Sequence, residues 1–321
     1  MRPGAAFRLF RIAALLPFAA GPMFGWGCEG HQMIALIARA HLSYAASDAV
    51  DQLLRRNPID PALSRFCKDR PDDLMADAST WADDARNIEK TGPWHYVDIP
   101  LSVTSEQPDI DAWCAPVGPP DASKDRTGCI VSAISHEWGI LRDAARPEAE
   151  RGKALRYIIH FIGDLHQPLH DTDNDDRGGN CTALTFFTED RPANLHAIWD
   201  YKLIQRQLER ERQTQPQFAS ALNQKFSDHW TEWGQPKVDV LAWAWEGHAI
   251  AHDVTYGDLH PHIPVETPNK DADCALERDK VAALHISVSS EYFDQVEPVI
   301  ERQLARAGYR LAALLNQTFG Q

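Results

Sequence analysis

The stretch RGKALRYIIHFIGDLHQPLH, residues 151–170, leaves little freedom in how it folds. Its apolar residues recur at three- and four-residue intervals, the period of an amphipathic helix. Within that period His160 and Asp164 are four apart and project from one face, while His166 turns away from them. Pro168 cannot donate to the helix ladder and would clash with the carbonyl of Asp164, so the helix kinks or ends about there. His170 is thereby delivered from a redirected backbone and can serve a different centre near the first.

The same period governs HQMIALIARAHL, SDAVDQLLRR, DYKLIQRQLERERQ and EPVIERQLARAGYRLAALLNQ. The expected fold class is therefore all-α, a single multi-helix domain. Two stretches rich in Pro or Gly, at 100–128 and 256–273, interrupt the helices. Neither separates regions of different composition, so both read as long loops on one body. No G-x-G-x-x-G or G-x-x-x-x-G-K-[ST] loop is present, which argues against a nucleotide-binding fold.

The first residues place Arg2, Arg8 and Arg11 ahead of an apolar run at 12–20, the layout of a secretory signal rather than a membrane span. The expected division is a signal at 1–25 and one domain at 26–321, with a secreted or periplasmic mature protein. Cleavage after Gly25 satisfies the small-residue preference at the cut, although Met23 fits the usual pattern poorly. The six cysteines, Cys28, Cys67, Cys114, Cys129, Cys181 and Cys274, form no C-x-x-C pair, and an even count in an exported chain favours disulfides. Cys114 with Cys129 is a candidate local staple, but the connectivity is not readable from spacing.

A net charge of −14 argues against a broad basic surface for nucleic acid. A polyanionic substrate would need a local positive source, which bound metal ions could supply. The residues for such ions are present. His160 with Asp164 and His196 with Asp200 repeat one helical His-x-x-x-Asp grammar, and STWADDAR and PWHYVD add Asp83 and His95. Neutral imidazole and carboxylate together suit zinc. A lone histidine is more often a hydrogen-bonded core residue than a ligand; it is the number of these residues that makes the case. If the leader is removed, the chain begins WGCEGH, and the Trp26 amine and carbonyl could close a chelate near His31. Taken alone, Trp26 is simply an apolar anchor.

WGCEGH, STWADDAR, PWHYVD, HFIGDLHQPLH, GGN, NLHAIWD and AGYRLAALLN occur in the order found in the class I zinc-dependent single-strand nucleases and 3′-nucleotidases. The chain resembles that family over essentially its mature length. The resemblance implies the helical zinc phospholipase C / nuclease fold and three zinc ions. Asp83, His95, His160 and Asp164 would hold the first, and Trp26, His31 and the shared Asp164 the second. His170, His196 and Asp200 would hold the third. It also implies hydrolysis of single-stranded RNA and DNA to 5′-nucleotides, with 3′-nucleotides as further substrates. Asp83, Asp164 and Arg86 would be catalytic, with Arg86 near the phosphate. Tyr96 would stack on a base and Asp98 would bind its edge, although Tyr96 also reads as core packing and Arg86 as a solvated helix arginine. A monomer with no stable membrane association is expected. A zinc phospholipase C of the same fold and a non-enzymatic zinc-binding helical protein are the alternatives.

Overall fold

In the computed structural model, residues 26–68, 72–106, 110–121, 123–234, 237–266 and 273–320 are described. The expected leader at 1–25 lies outside them. Among the described residues, helices dominate: α1 (Cys28–Arg39), α2 (Tyr44–Arg56), α3 (Leu74–Ala78), α4 (Trp81–Glu89), α5 (Ile130–Arg142) and α6 (Glu148–Asp164) form the first half. The second half holds α7 (Leu195–Ala197), α8 (Leu203–Glu211), α9 (Gln215–Lys225), α10 (Trp230–Trp233), α11 (Val240–Ile250), α12 (Cys274–Ala282) and α13 (Ser290–Phe319). The all-α expectation holds, with a small three-stranded sheet added to it. None of the described helices is long and apolar enough to cross a membrane.

The core is built around α6. Every residue from Ala154 to Asp164 is buried, so this helix is enclosed on all sides rather than lying on the surface. It packs against α5, α13, α4, α2, α1 and α3. Helix α13 buries an almost unbroken face through its second half and is the main partner of α1. Local signals set several boundaries. Ser43 accepts from Ala46 N at the start of α2, and Asp73 accepts from both Met75 N and Ala76 N at the start of α3.

Helix α6 ends at Asp164, and Pro168–His170 forms a separate 3-10 turn whose first residue is the proline. The chain direction thus changes just where Pro168 forbids a continuing ladder. The redirected strand of backbone runs beside residues 95–101: Val97 N donates to His170 O at 2.8 Å and Asp173 N to Ile99 O at 2.9 Å. His95 and His170 are held together by this pairing.

Strands β1 (Ala183–Phe186), β2 (Ala193–Asn194) and β3 (Ser287–Val288) lie in the order β2-β1-β3. β1 pairs antiparallel with β2, Ala183 opposite Asn194, and parallel with β3, Thr185 opposite Ser287. The hairpin returns the chain to the core just before His196. Three disulfides brace the loops: Cys28–Cys67, Cys114–Cys129 and Cys181–Cys274. The local staple expected between Cys114 and Cys129 is present, and Cys181, directly after the GGN turn, is bonded to the start of α12.

Candidate metal centre

Asp164, at the C-terminal end of the buried helix, is the hub. Its Oδ1 lies 3.2 Å from His31 Nε2 and its Oδ2 lies 3.0 Å from both His95 Nδ1 and His160 Nε2. Asp83, from the first turn of α4, brings Oδ1 to 3.6 Å from His95 Nδ1 and 3.5 Å from His160 Nε2. The His31 ring, one turn into α1, stacks on His160 with centroids 4.0 Å apart. A second cluster adjoins the first. His170 Nε2 is 3.1 Å from His196 Nε2, which is 3.2 Å from Asp200 Oδ2, and His170 Nδ1 is 4.0 Å from Asp164 Oδ1.

Ligand-type atoms fall into three groups, each within 4.8 Å: His31, Asp83 and His160; His95, His160 and Asp164; and His170, His196 and Asp200. The last has the membership expected of the third centre. The first two share His160, so the residues expected of two separate centres lie in one continuous pocket. Trp26 is fully buried, and the backbone beside it is tied to the last group, Gly27 N donating to Asp200 O at 2.7 Å.

The rings are aimed from outside the cluster. His160 Nδ1 faces Ser79 O at 2.7 Å, His170 Nδ1 faces His95 O at 2.6 Å, and His196 Nδ1 faces Gly178 O at 2.6 Å. A carbonyl only accepts, so each Nδ1 carries a proton and each Nε2 faces the cluster. Gln167 donates from its amide to Asp200 Oδ1 at 2.6 Å, leaving Oδ2 toward His196. Such outer partners are what fix the orientation and basicity of metal ligands. Sequence reading did not find Ser79, Gln167 or Gly178 in this role. The GGN turn carried the one visible signal: Gly178 and Gly179 adopt φ of 58° and 82°, open chiefly to glycine.

Gly163 was also missed. A Cβ there would stand 2.7 Å from His31 Nδ1, so only glycine lets α6 approach the α1 histidine this closely. His166, by contrast, points away as its place on the helix predicts. Its Nδ1 faces Ile162 O at 2.7 Å and its Nε2 accepts from Arg310 Nη1 at 3.0 Å.

The electrostatics test whether a cation fits. Both nitrogens of His31, His95 Nε2, Asp83 Oδ1 and Asp164 Oδ1 are buried without a hydrogen-bond partner, although charged atoms lie close by. Close atoms that are not aligned for hydrogen bonds are what a shared ion, rather than a proton, would satisfy. Burial alone would raise the Asp164 carboxyl, yet His160 and His170 hold it well below the ordinary range. Burial works to lower His160, and Asp164 and Asp83 overcome it and raise the ring well above its usual value. Burial, then His160, lowers His31 to about 4, and burial lowers His95 as well. The two buried carboxylates, Asp83 and Asp164, therefore demand positive charge while His31 and His95 stay neutral. A divalent cation meets both conditions, and the donor set fits zinc.

Arg86 is half-buried, three residues after Asp83 on α4, with Nε close to Gly92. Tyr96 is half-buried and Asp98 exposed. Burial, then Asp98, push the Tyr96 hydroxyl up, and Arg86 pulls it the other way. Arg86 on α4 and Asp98 on the segment that carries His95 therefore both lie within electrostatic reach of Tyr96.

A helical body that gathers buried imidazoles and carboxylates into adjoining groups able to hold cations defines a metalloprotein-type scaffold. Residues 26–320 match the S1/P1 Nuclease family, and the chain belongs to it. It is 29% identical over 316 residues to Endonuclease 2 of Arabidopsis thaliana, covering 96% of each chain. It is 27% identical to Nuclease S1 of Aspergillus oryzae, over 96% of this chain and 97% of the other. With Nuclease P1 of Penicillium citrinum it shares 26% identity over 92% of this chain and 98% of that one. The protein is thus an endonuclease-type hydrolase of nucleic acids with the zinc phospholipase C-like helical fold.

Proposed function

We propose that the protein is an exported, zinc-dependent phosphodiesterase that cleaves single-stranded RNA and DNA to 5′-nucleotides and also acts on 3′-nucleotides. The observation that carries this reading is the set of buried, unpartnered nitrogens and oxygens that converge on Asp164. Asp83, His95, His160 and Asp164 would hold one zinc ion, and His170, His196 and Asp200 another. His31 and Asp164 would hold a third with the amine and carbonyl of Trp26, once residues 1–25 are removed and 26–321 stand as the mature domain. Zinc bound there would supply Lewis acidity and lower the pKa of coordinated water from 15.7 to about 7.

The chain's own groups do the rest. Ser79, His95 and Gly178 hold three imidazoles in one tautomer through their carbonyl oxygens, so no reorientation is needed as charge develops on a substrate. Asp164 would serve both centres of the first pocket. Arg86 would bind a phosphate oxygen beside Asp83, Tyr96 would stack on a base, and Asp98 would accept from its edge. A paired base hides its edge and both faces, so this device selects unpaired strands. The basic complement is local, which lets a protein of net charge −14 receive a polyanion.

The test is cleavage of matched single-stranded and duplex oligonucleotides before chelation, after it, and after zinc is restored. Activity should vanish with chelation, return with zinc and favour the single strand. Asp164→Asn should lower it by several orders of magnitude. Full activity in a metal-stripped sample, or equal cleavage of duplex, would refute the reading.

A further inference from the structure

A cleft of about 530 Å³ opens between the end of α2, the loop that follows it, α3 and α6, and no residue of the histidine and aspartate cluster lines it. Its floor is Arg156, only 7% exposed although it carries a full charge. Arg156 Nη2 donates to Asn57 O and its guanidinium lies 5.3 Å from the Trp81 ring centre. Its Nε has no hydrogen-bond partner, and among the described residues no carboxylate is within ion-pair distance. Burial, and then the neighbouring Arg65, disfavour the charge on Arg156, while Asp77, which also lines the cleft, favours it without pairing with it directly. Arg65 gives no relief, because Asp84 at 2.6 Å and Asp77 at 3.5 Å already engage it. At the mouth stands Arg55, 68% exposed and only 3.8 Å from its nearest carboxylate, Asp51.

A buried cation that no carboxylate pairs with directly is costly, and an anion from solution would offset that cost; the cleft's three arginines, Arg55, Arg65 and Arg156, outnumber its two aspartates, Asp60 and Asp77. The planar guanidinium, with its donors in a fixed fork, suits a tetrahedral oxyanion better than a chloride ion. The walls add a second requirement. Leu54, Ile59, Leu63 and Leu74 face the cleft, and its volume lies within the roughly 300–1,000 Å³ typical of small-molecule sites. Free phosphate would leave those walls unused. We propose that this cleft binds a small organic phosphate, its phosphoryl oxygens on Arg156 and its apolar or planar body against the four aliphatic side chains. The site is separate from the metal-type cluster and does not depend on the reading given to that cluster.

Calorimetric titration of the zinc-saturated protein with 5′-AMP, inorganic phosphate and adenosine tests this. In Asp164→Asn, which disables the first pocket of the cluster, 5′-AMP should still bind at one site that survives chelation of the remaining zinc, more tightly than phosphate or adenosine. Arg156→Met added to that background should weaken it roughly tenfold or more, the loss of a charge-assisted contact. Arg55→Glu changes an exposed residue whose removal does not threaten the fold, and it should weaken binding by a smaller factor. If Arg156→Met fails to fold by circular dichroism, Arg55→Glu decides, and an unchanged Kd there overturns the proposal. Binding that disappears with Asp164→Asn, or survives Arg156→Met intact, also overturns it. Phosphate binding as tightly as 5′-AMP would overturn the role given to the aliphatic walls.

Discussion

Replacing Gly163 by alanine isolates the geometry of the first pocket. Within a helix this change ordinarily stabilises, by up to about 0.5–1 kcal/mol, because glycine loses more backbone entropy on folding. Here the new Cβ would sit 2.7 Å from His31 Nδ1 and 3.0 Å from its Cε1, where ordinary contact begins at 3.4 Å. The ring must retreat by about 0.7 Å, beyond the roughly 0.2 Å tolerance of a metal–ligand distance. Overpacking of a tight core costs about 1–3 kcal/mol. Gly139 on α5 is the control, since a Cβ there would meet nothing within 4 Å. Gly139→Ala should raise stability by about 0.5–1 kcal/mol. Gly163→Ala should fall below that control by about 1–3 kcal/mol and lose metal affinity by roughly 10- to 100-fold. Urea unfolding of both variants, with competitive zinc titration, reads the two effects. A Gly163→Ala protein as stable as Gly139→Ala and equally avid for zinc would mean that His31 is free to move, and the close approach of α6 to α1 would have no part in binding.

Gln167→Leu removes the side-chain donor to Asp200 Oδ1, so zinc affinity at the His170, His196 and Asp200 group should drop about tenfold or more while far-ultraviolet circular dichroism stays unchanged. Undiminished zinc retention by dialysis would refute that role. For pH, His31 is held near 4 against an ordinary 6.5. Between those values the unfolded chain binds a proton that the folded ring refuses. Metal-free stability should therefore fall as pH drops from 6.5 toward 4, at up to about 1.4 kcal/mol per pH unit for this group. His31→Gln should flatten the slope in urea titrations with chelator present; an unaltered slope would contradict the burial argument. Cys274→Ser opens a loop of 93 residues and should cost about 2–5 kcal/mol. Because Cys181 follows the turn that carries Gly178, its zinc retention should fall too, and a loss of stability with unchanged zinc content would separate the two.

The ligand-type side chains were legible in the sequence because helical spacing and a proline are local signals. His160 and Asp164 share a face by arithmetic, and Pro168 both ends the helix and frees His170, as the structure shows. The division of the first pocket was less legible, since His31 reaches Asp83, His160 and Asp164 alike only after α1 and α6 pack. What aims the rings was not legible. The acceptors are backbone carbonyls of Ser79, His95 and Gly178, and every residue has a carbonyl, so no residue type announces the role. Gly163 carries its information as an absent atom, readable only against a neighbour supplied by another helix. The metal-type chemistry thus sits on side chains that composition and period reveal, while its precision rests on backbone that tertiary pairing puts in place. Conserving the nine candidate ligands in a redesigned chain, without the 95–101 pairing to 170–173 and without glycine at 163, should therefore yield a protein that folds and binds zinc loosely.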